Sequence, residues 1–441
     1  MYWIYRFLTI LSMTVLAPYY ALRGCRRREP RALGERFGSL PPGMRARAQA
    51  AAGHRAIWIH AVSVGEVLAA GPLIEGLKQR MPGRAVYVST TTETGQRVAR
   101  ERLQGADAVF YFPLDWVFAV RRALRFMHPA AVVVMETEIW PNFLREASRL
   151  QIPVVFASAR ISERAFARYQ RWRFLVLEFY AEVLDCARLF LAQTQLDAER
   201  LRAMGAPPER VEVVGNLKFD GEPASLGAFG AWLQEQAGGE ERWPLLVAGS
   251  VVAQEEDAVL AAYDIVQRRW RRALLVLAPR KPDRFDMAAE LIEAAGWRLA
   301  RRSRMDFAAP LDENTDVILL DSIGELAGLY SIADAVFVGG SLVAAGGHNI
   351  LEPAWFARPP VFGNSMENFR EMADQFLAAH AAVEVSSGPM LGKVWAQLIE
   401  DPALRERMGQ AAQKVCARNR GATGRCLDRI AGVLESAGRP K

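Results

Sequence analysis

Short, almost uninterrupted apolar runs recur along this chain, each followed by a longer stretch with apolar residues at helical spacing. The first half carries AIWIHAV (56–62), AVYVST (85–90), AVVVMET (131–137), PVVFAS (153–158), LFLAQT (189–194) and VEVVGN (211–216). Runs of this kind are buried on both faces, and their alternation with helices leaves a parallel sheet covered on both sides as the expected solution. A second series follows: LLVAGS (245–250), ALLVLAP (273–279), DVILLDS (316–322), AVFVGG (335–340) and PVFG (360–363). Between the series, residues 218–243 loosen into glycine, proline and charge, as a domain connection does. With 441 residues there is enough chain for two cores. The expectation is α/β: two doubly wound, Rossmann-like domains facing a cleft walled by the carboxyl ends of both sheets, where ligands of such sheets bind.

The amino terminus reads differently. FLTILSMTVLAPYYAL (7–22) has no charge, Trp3, Tyr5, Tyr19 and Tyr20 flank it as interfacial anchors, and six arginines against two glutamates follow in 23–36. This predicts a membrane anchor at 1–22, spanning or interfacial, with the body held on the cytoplasmic side. The net charge of +6 calls for an anionic partner. Beside such a segment, a membrane surface and a phosphorylated substrate fit better than nucleic acid. Four scattered cysteines suggest neither a disulfide framework nor a zinc site, and the five histidines lack ligand spacing. No metal is expected, nor a hydrolase elbow or Walker loop.

Candidate residues gather at strand ends. In HAVSVGEV, Glu66 follows a strand and opens a helix. Ser63 three residues earlier makes a capping box, so Glu66 could serve the helix or the chemistry. METEIWPN ends a strand with Glu136 and Glu138 before Trp140, Pro141 and Asn142, an acceptor-side or structural group. Arg164, Arg168 and Arg171 fall near one face of a helical stretch, 159–174, suited to docking on anionic headgroups or to solvation. In the second half, GGSLVAAGGHNILEPAWF (339–356) turns at Gly346 and Gly347, closes with His348 and Asn349, and starts a helix at ILEPAW. Amides at that helix start would face a phosphate, although Asn349 and Glu352 also have cap spacing. Gly249, Ser250 and Arg280 lie at neighbouring strand ends, forming one expected nucleotide pocket.

Together, LGERFG (33–38), WIHAVSVGEV (58–67), TTTETG (90–95), FPLD (112–115), METEIWPN, SARISERAF (158–166), GNLKFD (215–220) and GGSLVAAGGHNILEPA resemble, in order, the 3-deoxy-D-manno-octulosonic acid (Kdo) transferases of Gram-negative lipopolysaccharide assembly. The resemblance implies a GT-B glycosyltransferase with an acceptor domain at 23–220, a CMP-Kdo domain at 221–441 and a last helix crossing back. It implies inverting transfer of Kdo from CMP-Kdo to the lipid A precursor, lipid IVA, at the cytoplasmic face of the inner membrane, with Glu66 as base. Asn349 and Glu352 are expected to hold the nucleotide and its ribose, without an obligatory cofactor. Val251, Val252 and Lys281 depart from the family's usual threonine, histidine and histidine, which puts donor contacts there in question. The alternatives are another GT-B lipid glycosyltransferase with a different sugar nucleotide, or a non-catalytic membrane-anchored nucleotide-binding protein.

Overall fold

The computed structural model describes residues 1–12, 30–41, 43–44, 55–238 and 244–437. They form two compact units, Met1–Gly221 with Asn419–Lys441, and Glu222–Arg418.

In the first unit, strands β1 (Ile57–His60), β2 (Val86–Thr90), β3 (Ala108–Tyr111), β4 (Ala131–Met135), β5 (Val154–Ala159), β6 (Leu189–Ala192) and β7 (Val211–Val213) make one sheet in the order β3-β2-β1-β4-β5-β6-β7. Every pairing is parallel. β1, β2, β4 and β5 are buried along their whole lengths, which is why their sequences carry no alternation. The strand order reverses between β1 and β4; the helix start after β1 carries Glu66 and the loop after β4 carries Glu136 and Glu138, at the position where doubly wound sheets open a crevice.

The chain returns to this unit in the helix Ala422–Ala437. Ala422, Cys426, Ile430 and Val433 lie on one stripe of it and join the apolar cluster beneath β1 and β4. Asp220 receives the amides of Gly421 (2.6 Å) and Thr423 (2.5 Å), fixing the point of re-entry.

The second unit repeats the plan with β8 (Leu245–Val251), β9 (Leu274–Pro279), β10 (Leu299–Arg301), β11 (Val317–Leu319), β12 (Ala335–Val338), β13 (Val361–Gly363) and β14 (Val383–Val385), in the parallel order β10-β11-β9-β8-β12-β13-β14. Its reversal falls between β8 and β12; Gly249 and Ser250 lie at the carboxyl end of β8, and the loop after β12 is the glycine-rich segment.

The expected membrane anchor is not supported. Residues 2–12 are helical, and no helix among the described residues is long and apolar enough to cross a membrane; residues 13–22 of the expected segment, and 23–29 of its basic flank, lie outside the described residues. The helix is instead tied to the first unit at its beginning. Tyr2 is buried, its hydroxyl donating to the Pro141 carbonyl (3.1 Å) and Asn142 Oδ1 (3.0 Å), and the Tyr5 hydroxyl donates to Asp115 Oδ2 (2.7 Å). Tyr5, read as an interfacial anchor, thus has its polar end satisfied by protein, as does Tyr2. The other face of the helix leaves Trp3, Ile4, Phe7, Leu8, Ile10 and Leu11 exposed.

Candidate functional site

β1 ends at His60, and Ser63 caps the helix Val64–Arg80. The Ser63 hydroxyl accepts from the Glu66 amide (3.3 Å), while the Glu66 carboxylate accepts from the Val62 amide (2.9 Å), the Ser63 amide (3.3 Å) and the Ser63 hydroxyl (2.7 Å). Glu66 therefore closes a capping box. The same carboxylate also lines a cavity of ≈ 630 Å³ together with Glu136 and Glu138. Its role in the cap holds it in one rotamer at the cavity wall, so the structural and chemical readings of this residue are compatible.

Electrostatics sets these carboxyls apart. Burial, then the charge of Glu136, raises the Glu66 pKa, against the three donors that favour its ionised form. Glu138 is pushed up to about 7 by burial, then by Glu66 and Glu136. Glu136 has a cation: Lys218 Nζ lies 2.7 Å from its Oε1. Glu136 also adopts φ of 53°, a left-handed conformation disfavoured for a residue with a Cβ, while its amide donates to the Ala157 carbonyl (2.9 Å). Strain held at a cavity wall is a mark of functional sites. Lys218 is a site residue that the strand-end reading passed over, although GNLKFD places a single cation directly after β7, at the same sheet edge as Glu66.

The remaining candidates in this unit separate. Asn142 is fully buried behind the cavity, where its Nδ2 donates to the Asp115 carbonyl (2.6 Å), and serves structure. The helical stretch expected at 159–174 is the helix Glu163–Asp185, with Ser162 as its cap. Arg168 lines the cavity, as does Arg160 from the preceding turn, whereas Arg164 and Arg171 do not. His60, neighbouring β2 through Ser89, is pushed down to about 3 by burial and stays neutral.

In the second unit, Glu255 is the organising group. It is fully buried and accepts from the amides of Val252 (3.0 Å), Gly340 (2.6 Å), Ser341 (2.8 Å) and Leu342 (2.8 Å), clamping the loop after β8 to the loop after β12. The sequence shows Glu255 only as a helix-opening acid. Gly249 is required because a Cβ there would sit 1.9 Å from the Tyr330 hydroxyl. Ser250 turns with φ of 57°.

The departures at 251 and 252 fall where the backbone acts. Val251 is buried in the core and its carbonyl accepts from the Arg280 amide (2.8 Å), while Val252 contributes its amide to Glu255.

Gly346 and Gly347 adopt φ of 87° and 74°. The expected presentation of their amides to an anion is corrected: Gly346 N donates to Ser365 Oγ (3.0 Å) and Gly347 N to the Gly340 carbonyl (2.7 Å). The helix that follows, Leu351–Trp355, has only five residues, and Asn349 Oδ1 takes its first amide (3.2 Å). The amides of His348 and Asn349 have no acceptor among the described residues. Asn349 Nδ2 donates to Glu352 Oε1 (3.3 Å). Arg280 acts on both His348, pushed down to about 4 by burial and this charge, and Glu352, raised by burial. Arg280, His348, Asn349 and Glu352 thus form one cluster. Among the described residues no group of histidine, cysteine or carboxylate side chains is arranged to hold a metal ion.

Residues 31–221 match the family described as 3-Deoxy-D-manno-octulosonic-acid transferase (kdotransferase). The chain is 34% identical to the 3-deoxy-D-manno-octulosonic acid transferase of Haemophilus influenzae, over 91% of each chain. It is 36% identical to the enzyme of that name from Bordetella pertussis, over 90% of each. Among solved structures, a putative UDP-N-acetylglucosamine 2-epimerase from Listeria monocytogenes superposes with a TM-score of 0.58 at 14% identity, covering 88% of this chain and 99% of that one, a likeness of fold alone. Two parallel-sheet α/β units, as GT-B glycosyltransferases have, and identity along nine-tenths of the chain lead to one assignment: the chain belongs to the 3-deoxy-D-manno-octulosonic acid transferase family, whose members are glycosyltransferases.

Proposed function

We propose that this protein transfers Kdo from CMP-Kdo to the lipid A precursor, lipid IVA, with inversion at the anomeric carbon and Glu66 as the general base. The observation that carries the reading is the Glu66 carboxylate, fixed by three donors at the wall of a cavity large enough for a sugar. An inverting transfer needs a base on the side opposite the leaving group to take the acceptor hydroxyl proton as the new bond forms. The raised proton affinity of Glu66 suits that task. Lys218, paired with Glu136, limits the negative charge around the base and is placed to stabilise charge developing there.

The donor belongs to the second unit. Arg280 and the free amides of His348 and Asn349 supply positive potential for the CMP phosphate, and the Asn349–Glu352 pair is suited to the ribose hydroxyls. No metal is needed in this scheme.

The acceptor arrives from a membrane, and the first unit has a surface for one. Trp3, Phe7, Trp172, Phe174 and Leu175 are exposed apolar side chains, with Arg164, Arg168 and Arg171 beside the latter three. A monotopic attachment to anionic lipid at the cytoplasmic face of the inner membrane follows from such a face without a spanning helix.

The test is to offer the purified protein lipid IVA with CMP-Kdo, and separately with UDP and GDP sugars, and to weigh the lipid by mass spectrometry. Kdo additions from CMP-Kdo alone are expected. Transfer from another sugar nucleotide would favour a different lipid glycosyltransferase, and CMP binding with an unmodified lipid would favour a non-catalytic protein.

A further inference from the structure

The cavity that holds Glu66 has a second half of different character. On the helix Glu163–Asp185, the residues Ala165, Arg168, Tyr169, Trp172, Val176 and Tyr180 all line it. Their spacing of three, one, three, four and four places them on one face of the helix. The carboxylates come from the helix start after β1 and the loop after β4, so the cavity runs from an acidic end to an apolar and aromatic wall, with Ile139, Trp140 and Met204 completing it. Tyr169 belongs to the apolar core and Val176 and Tyr180 pack against it, whereas Trp172 remains 51% exposed. Arg168 stands one turn before Trp172 on the same face, where a polar head would meet an apolar tail.

Resting on the transferase reading, we infer that this wall is a binding subsite for an apolar chain of the acceptor, the sugar hydroxyl lying at the Glu66 end and the chain running along Trp172, Val176 and Tyr180. Continuity with the Glu66 cavity assigns the occupant, because a ligand whose hydroxyl reaches Glu66 has only this wall for an apolar continuation within the cavity. The wall would then read the acceptor's chain as well as hold it, making these side chains determinants of acceptor specificity. Phe174, 97% exposed, does not line the cavity and serves as the control for general membrane attachment.

The experiment compares two acceptors with the same sugar headgroup, one acylated and one fully de-acylated, in detergent micelles with CMP-Kdo as donor. The wild-type protein is expected to favour the acylated acceptor in kcat/KM by about tenfold or more, the discrimination a few methylenes give in an apolar pocket. Val176→Ala and Trp172→Ala should each reduce that preference severalfold, the larger loss in kcat/KM falling on the acylated acceptor, and Phe174→Asp should preserve the preference. Equal loss on both acceptors, no change in the ratio, or the same collapse in Phe174→Asp would overturn the subsite. Transfer by the wild type to neither acceptor would overturn the transferase reading itself, and the subsite with it.

Discussion

Replacing Glu255 by alanine should damage the second unit out of proportion to one side chain. The substitution removes the acceptor of four amides, those of Val252, Gly340, Ser341 and Leu342, in a place where Glu255 itself has no exposed surface. An orphaned buried amide costs about 1–3 kcal/mol. Gly340 and Ser341 are buried and carry that cost in full, Val252 and Leu342 are part-buried and carry less, and together they come to roughly 3 kcal/mol or more, a large share of the ~5–15 kcal/mol that holds a domain together. The glycine-rich loop would lose its tie to β8, so donor binding should fall along with stability. Hydrogen exchange read by mass spectrometry separates the units: amides in β8 and β12 should exchange at least about a hundredfold faster, as ~3 kcal/mol or more requires, while β1 and β4 keep their protection. CMP affinity measured by calorimetry should drop in parallel. If Glu255→Ala exchanges within a few-fold of the wild type in β8 and β12, the clamp is not what holds this loop.

Further outcomes follow from the same contacts. Glu136→Gln removes the negative neighbour that raises the Glu66 pKa, so the acidic limb of the kcat/KM profile should move to lower pH, whereas Lys218→Met leaves Glu136 unpaired and should move it to higher pH. Because the folded Glu138 pKa, about 7, lies above that of the unfolded chain, its contribution to stability is full below the usual carboxylate range and is lost as pH rises through about 7; a pH series of urea melts should show this slope reduced in Glu138→Gln. Gly249→Ala should cost about 1–3 kcal/mol by overpacking against Tyr330, read as a lower urea midpoint for the second unit. Tyr5→Phe deletes the hydroxyl bond to Asp115 and should speed tryptic cleavage after Arg6; an unchanged rate would mean that the Tyr5–Asp115 bond does not hold the helix down.

The sheets were legible wherever strands are buried on both faces. β1, β2, β4, β5, β8 and β9 announce themselves as continuous apolar runs because each has a neighbour on either side and helices above and below. Of the strands passed over, β10 (LAR) and β14 (VEV) are sheet edges, short and only partly buried, so selection for apolar residues is relaxed and no pattern marks them, whereas β3 (AVFY), also an edge, carries a short apolar run that was missed. At the apolar amino terminus hydropathy tells only part, for a related reason. Hydropathy registers apolar side chains but not what they meet: Trp3 and Phe7 stay exposed, whereas Tyr2 and Tyr5 meet Asn142 and Asp115.

The site divides along the same line. Glu66, Glu136, Glu138 and the glycine-rich loop could be found because strand ends and glycines are local signals. Lys218 and Glu255 could not be assigned, since their roles rest on partners 82 and about 85 residues away, Glu136 and the Gly340 loop. The amides of Gly346 and Gly347 misled for the converse reason: glycine permits an anion-binding turn, but only the tertiary partners, Ser365 and Gly340, decide whether the amides remain available.

The most direct test of the account is the single-turnover rate of Kdo transfer to lipid IVA by Glu66→Gln. Glutamine can still close the capping box, so the helix Val64–Arg80 should remain folded. A loss of about 10²-fold or more in the chemical step is expected, with CMP affinity and thermal stability close to the wild type. A folded Glu66→Gln protein that transfers Kdo within a few-fold of the wild-type rate would contradict Glu66 as the base.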